Sequence, residues 1–210
     1  PALGKPSMDD LYFAIYDEEL PAVQMTVSML KPYQHRMDTV SQRSADLPLD
    51  VAFAMLNLRF SEAVKRPETP YLSASVGGAN DGEVKRIFEG GVLNLISAPE
   101  EWKESLTAAY IELRKALNFG FQEAELNEVR ASFSRGLDEA VEREPKAHSK
   151  GMLNDILVVV ENGGVPSDAE TDRKVIRKAL DALTVKDCLD AFRDDWRGGE
   201  MSIIAMGGLD

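Results

Sequence analysis

Sulfur and imidazole are scarce in this chain. Its 210 residues include one cysteine, Cys188, and two histidines, His35 and His148. A lone cysteine forms no intrachain disulfide, so cysteine usage leaves the redox compartment unread. Neither histidine opens H-x-x-E-H or H-E-x-x-H, because His35 is followed by Arg36-Met37-Asp38-Thr39 and His148 by Ser149-Lys150-Gly151-Met152. A closed zinc site needs three or four converging ligands, so both read as surface histidines and no metal is expected on this chain.

Positive charge is also in deficit. Lys and Arg total 24 against 36 Asp and Glu, and the net charge of −12 repels phosphate backbones and anionic headgroups. Neither nucleic acid nor a membrane surface is an expected partner. Long apolar runs are missing too: ILVVV at 156–160 falls far short of the roughly 20 residues of a bilayer span. There is no G-x-S-x-G, and Cys188 falls in a helical pattern where a small apolar side chain is expected. GGAND and NGGVPSD lack the Walker and dinucleotide-binding patterns, and the second reads as a helix C-cap followed by an N-cap. No low-complexity tract or repeat is visible. The chain opens at Pro1 without a signal-peptide pattern and breaks off at a glycine pair and Leu209-Asp210, and the expectation is a piece of a longer chain.

What is present is periodicity. A chain of this length with 44% apolar residues buries one good core, and one domain over 1–210 is expected. Leu11 to Tyr16 and Val23 to Leu30 read as strands separated by DEELP, forming an antiparallel pair with one wet face. Leu49, Ala52, Phe53, Leu56, Phe60 and Ala63 recur at helical spacing, with Pro48 near the first turn. Tyr71 to Val76 alternates again, with Leu72, Ala74 and Val76 on one face and Tyr71, Ser73 and Ser75 on the other; the turn GGANDGE then leads to a strand through 84–96.

From Pro99 onward the pattern is helical. Trp102 to Leu117 forms a stripe that Gly120 is placed to stop in a left-handed cap, and Leu126 to Ala140 forms the next. A third helix carries Met152 to Val160 and ends at Asn162-Gly163-Gly164. Ser167 with Glu170, and Thr184 with Asp187, have capping-box spacing for two more, the second closed by Gly198-Gly199. Met201 to Met206 closes the chain as a strand. The order β-β-α-β-β, then helices, then a closing strand predicts an α+β two-layer sandwich, a mainly antiparallel sheet with helices on one face.

MLNLRFSEAVKRPETPYLSAS (55–75), GFQEAELNEVRASF (120–133) and SIIAMGG (202–208) together resemble a homology domain of the pitrilysin/insulinase family of zinc metallopeptidases, the inverzincins. The resemblance runs over essentially the whole chain. It implies a protease of four related domains closing around a chamber, with zinc on the first domain and peptides hydrolysed by the full-length protein. H-x-x-E-H is absent here, so the resemblance implies a non-catalytic domain whose partners are the other domains of the chain and peptide substrates. In a later domain of the family an Arg and a Tyr seven residues apart hold substrate; Tyr71 matches the tyrosine, but seven residues earlier stands Val64, and Arg66 is at the wrong spacing. The second of the four domains is therefore the implied position.

In insulinase-like members that domain carries an exosite, a strand edge with a V-G-G segment that anchors the substrate's N-terminal end. Val76, Gly77 and Gly78 match it. A strand edge offers unpaired N–H and C=O groups to an extended peptide, and glycines let its backbone approach. Against this stands the reading of Gly77-Gly78 as the start of a turn, and of Tyr71 as a strand-opening aromatic packed at the sheet margin. Bacterial relatives are often exported, so the resemblance implies a periplasmic or exported parent. The alternative, from a different class, is a scaffold or assembly domain of a catalytically silent paralogue.

Overall fold

A computed structural model describes residues 12–79 and 88–209. Six strands and six α-helices follow in the order β1 (Tyr12–Tyr16), β2 (Val23–Pro32), α1 (Val40–Ala63), β3 (Tyr71–Gly78), β4 (Phe88–Glu89), β5 (Gly91–Ser97), α2 (Trp102–Phe119), α3 (Glu123–Arg143), α4 (Ser149–Glu161), α5 (Ala169–Ala182), α6 (Val185–Asp195) and β6 (Glu200–Gly207). The sheet order is β1-β6-β2-β5-β3, with β4 paired to the end of β2. Every pairing is antiparallel except β1 with β6. The result is the α+β architecture expected from the element order.

Period-two alternation decides which face is covered. Val23, Met25 and Val27 of β2 and Leu93 and Leu95 of β5 are buried, and Met201, Ile203 and Ala205 of β6 pack against them. Against this side lie α1 and α2, which supply Val51, Met55, Leu56 and Phe60, and Ala109, Leu113 and Ala116. Phe192 of α6 closes the core, edge-on to Phe53 at 6.1 Å and to Phe121 at 5.6 Å.

Several expectations from sequence need correction. β1 runs antiparallel to β2 but does not pair with it: β6 lies between them, and Asp17 N–H donates to Gly207 C=O at 3.0 Å. A tight hairpin needs about two connecting residues, whereas the stretch 17–22 is long enough to pass over an intervening strand. Leu11 lies outside the described residues.

The helix around Pro48 does not begin there. It starts at Val40, where the Thr39 hydroxyl accepts from Gln42 N–H at 3.1 Å, and Pro48 sits inside it. The spacing of Thr39 and Gln42 is that of a capping box, a signal hidden by the polar run that follows.

A bulge between Tyr71 and Ser73 turns β3, so Tyr71 joins Ala74 and Val76 on the buried side while Leu72 faces out. Gly77 and Gly78 belong to the strand and not to a turn. The strand expected over 84–96 is divided at Gly90, whose φ is +139°, into β4 and β5; residues 80–87, which include most of the expected turn, lie outside the described residues.

The N-cap of α5 is Asp168, one residue later than the expected Ser167. Its carboxylate accepts from Thr171 N–H at 2.7 Å, while the Ser167 hydroxyl donates to Asp172 at 2.5 Å. Thr184 with Asp187 does form the capping box, and Gly120 ends α2 at a positive φ of 78°. Its missing Cβ would come within 2.9 Å of Leu189 Cδ2, a close approach that also favours glycine.

Candidate functional site

Among the described residues the sheet has one face without helices, and it carries no formal charge across its central rows. Strand registers align Phe13, Ile204, Thr26, Asn94 and Ser75 in one row and Ile15, Met206, Gln24, Ile96 and Ser73 in the next. Ser202, Ser28, Val92 and Gly77 form a third. In a chain where 29% of residues are charged, fourteen neighbouring positions without a charge mark a surface of distinct chemistry. Phe13, Ile15, Ile96 and Ile204 are exposed on it, and the Thr26 hydroxyl donates to Asn94 Oδ1 at 2.9 Å between them. The face is apolar towards β1 and hydroxyl- and amide-rich towards β3.

Among the described residues β3 is the edge of this sheet, paired on one side with β5. Ala79 N–H donates to Gly90 C=O at 2.5 Å, which fixes the alternation: Ser73, Ser75 and Gly77 turn their peptide groups towards β5, and Ala74, Val76 and Gly78 turn theirs away. At Val76 the outward groups are already engaged. The Asn57 side chain of α1 accepts from Val76 N–H at 2.7 Å and donates to Val76 C=O at 2.9 Å, as the peptide group of a neighbouring strand would.

Sequence reasoning passed over Asn57. Its only signal is a carboxamide beside the apolar stripe of Phe53, Leu56 and Phe60, where an unpaired polar group is costly to bury. Asn57 also lines a cleft of about 340 Å³, with Leu58, Ser61, Glu128, Phe133 and Arg135 among its other walls.

The four residues singled out from sequence are thus on one strand but not in one environment. The Val76 side chain is buried. Gly77 and Gly78 have no positive φ, and among the described residues a Cβ at either would meet nothing within 4 Å, so neither backbone strain nor crowding from those residues demands glycine there. Tyr71 is 5% exposed with its ring edge-on to Phe60 at 6.0 Å, and burial pushes its phenol up.

Of the remaining chemistry, His35 and His148 are exposed. Cys188 is fully buried in α6, and burial pushes its thiol up to about 12, as suits a core side chain. No three His, Cys, Asp or Glu side chains converge as a metal site among the described residues. A cleft of about 800 Å³ lies between α3, α4 and α5. It exists because α4 buries none of its residues: Leu153, Ile156, Leu157 and Val160 are all exposed.

No family model matches the sequence, and no curated protein matches it. Solved structures do. The first half of the periplasmic protease PqqL from Escherichia coli superposes with a TM-score of 0.79 at 14% identity, over 94% of this chain and 42% of that one. A predicted insulinase family protease from Yersinia pestis gives 0.75 at 14% identity, over 92% and 41%. A peptidase M16 inactive domain from Pseudomonas fluorescens gives 0.66 at 12% identity, over 100% and 46%. The fold is therefore that of insulinase-family protease domains. This chain spans about two fifths of the length of the first two structures.

Proposed function

We propose that this chain is a non-catalytic, substrate-holding domain of a zinc-dependent endopeptidase of the pitrilysin/insulinase family, the second of its four domains, and that it forms part of the wall of the peptide chamber. The observation that carries this reading is the open, uncharged sheet face ending in the β3 edge. An unfolded peptide can lie on such a face without stripping water from a buried charge, and main-chain pairing along β3 tolerates many sequences.

Val76, Gly77 and Gly78 form the peptide-facing segment, with Tyr71 holding the start of the strand to the core. In this reading the zinc of the parent enzyme belongs to another domain of the chain; no three His, Cys, Asp or Glu side chains converge among the described residues of this one. A periplasmic location is proposed from the likeness to PqqL.

A second reading is favoured by α4. Its uncovered apolar face suits packing against another domain of the same chain, and a parent without catalysis would use this domain for assembly alone. One experiment separates the two readings. The full-length parent is incubated with a long unstructured peptide while cleavage and amide exchange are followed. The first reading expects zinc-dependent cleavage by the parent and slowed exchange over Tyr71–Gly78; a parent that neither cleaves nor protects β3 supports assembly instead.

A further inference from the structure

We propose that Asn57 gates the β3 edge: a peptide adds to β3 only by displacing the Asn57 carboxamide from Val76, and it must therefore present an intact N–H and C=O opposite that residue. The proposal rests on the reading of β3 as a peptide-binding edge. It rests equally on a contact that this reading does not require.

A bare strand edge pairs with almost any extended chain, which is why exposed edges are normally blocked. Among the described residues the block is the Asn57 side chain. A carboxamide carries one acceptor and two donors in a planar group, and Asn57 applies one of each to the outward peptide group of Val76 at 2.7 and 2.9 Å. The tie is local. Alternation turns Ala74 and Gly78 the same way, and no strand flanks them among the described residues. No described residue comes within 4 Å of the missing Cβ positions of Gly77 and Gly78, which leaves room among the described residues for a backbone to approach next to the gated position.

Displacement exchanges two amide hydrogen bonds for two others, so its cost is small for a peptide with both groups. It is large for one that lacks either. A proline or N-methylated residue opposite Val76 would expel Asn57 and leave the Val76 carbonyl without a donor. The gate thus admits extended chains with free backbone amides and rejects proline at one register position. The cleft of about 340 Å³ beside Asn57 gives the displaced side chain room to turn.

Amide exchange in the free chain reads the gate directly. Val76 N–H is expected to exchange at least about tenfold more slowly than the outward amides of Ala74 and Gly78, whereas equal rates would overturn the proposal. The second arm titrates a labelled, unstructured peptide against the unmodified chain and Asn57→Ala. Removing the competitor is expected to tighten binding about five- to tenfold, the worth of one to two hydrogen bonds, and to expose Val76 N–H in the free variant.

Peptide-induced protection of β3 with unchanged or weaker binding by Asn57→Ala would overturn the gate and leave the edge reading intact. If neither protein shows protection along β3, the edge reading itself fails. Should Asn57→Ala not fold, the exchange measurement on the unmodified chain still decides.

Discussion

Arg59 and Glu125 lock α1 to α3. Arg59 Nε and Nη2 meet the two carboxylate oxygens of Glu125 at 2.5 and 2.8 Å. The same Nη2 donates to Gly120 C=O at 2.8 Å, and the guanidinium lies 5.2 Å from the centre of the Phe121 ring. One arginine thereby satisfies the close of α2 and the start of α3, where Glu125 also accepts from Gln122 N–H at 2.7 Å.

Burial works to raise the Glu125 carboxyl, but the Arg59 and Gln122 hydrogen bonds hold it below its ordinary value. A depressed carboxylate stabilises the fold above its unfolded-state pKa, and the contribution is lost as pH falls through the folded value. Arg59→Ala is expected to cost about 2 kcal/mol, or roughly 4–8 °C in melting temperature. Thermal melts from pH 7 to 3 check it: the unmodified chain should lose more stability on acidification than Arg59→Ala.

Asp195 behaves in the opposite sense. Burial pushes its carboxyl up to about 6 despite Lys31 nearby, with Glu89 and Asp194 adding to the rise, and its Oδ2 has no hydrogen-bond partner. The raised value means that the folded state favours the protonated form. The penalty is absent below about pH 4, where the group is protonated in both states, and is fully present above about 6. Asp195→Asn should therefore gain on the order of 2 kcal/mol at pH 7 and almost nothing at pH 4. Equal gains at both pH values in denaturant titrations would count against this account.

Gly91 and Gly77 share a strand pair and should respond differently to added side chains. A Cβ on Gly91 would overlap the Trp196 indole and come within 2.7 Å of Asp195 Oδ2, and Gly91→Ala is expected to cost about 2–3 kcal/mol. At Gly77 and Gly78 the space is open, so valine there should leave the melting temperature nearly unchanged. In the full-length parent the same pair of valines should raise KM for long peptides more than for short ones. Equal effects on both lengths would remove the glycines from the proposed exosite.

The α4 helix should tolerate charge. Leu153 and Leu157 are 56% and 48% exposed, so glutamate at both positions should change the stability of the chain by less than about 0.5 kcal/mol. Binding of a hydrophobic dye should fall. A large loss of stability would show that the helix is packed more tightly than its exposure indicates.

Cys188 should be silent to alkylation. With the side chain fully buried and the thiol pushed up to about 12, iodoacetamide at pH 8 is expected to modify the chain only after denaturant unfolds it.

Much of the fold was legible because periodicity survives without tertiary context. The stripes on α2 and α3, the alternation of β2, and the Thr184–Asp187 box all stood where the sequence placed them. Pairing was less legible. Nothing local to β1 names β6 as its partner, because that choice depends on an edge that forms only when the last strand arrives from the far end of the chain. The bulge at Tyr71 was equally hidden, since alternation assumes an unbroken pleat and the Phe60 ring rewards breaking it.

The gate was the least visible feature. In the sequence Asn57 is one amide on a helix, nineteen positions from Val76, and its meaning appears only when α1 lies across the sheet margin. The sequence by itself determined the composition of the two layers, the order of their elements and the absence of H-x-x-E-H, because these follow from residue types and short-range spacing. Only the tertiary structure decided which face stays uncharged and open, which strand is left at the edge and which side chain occupies it, because those relations join residues that are distant along the chain and become neighbours only through packing.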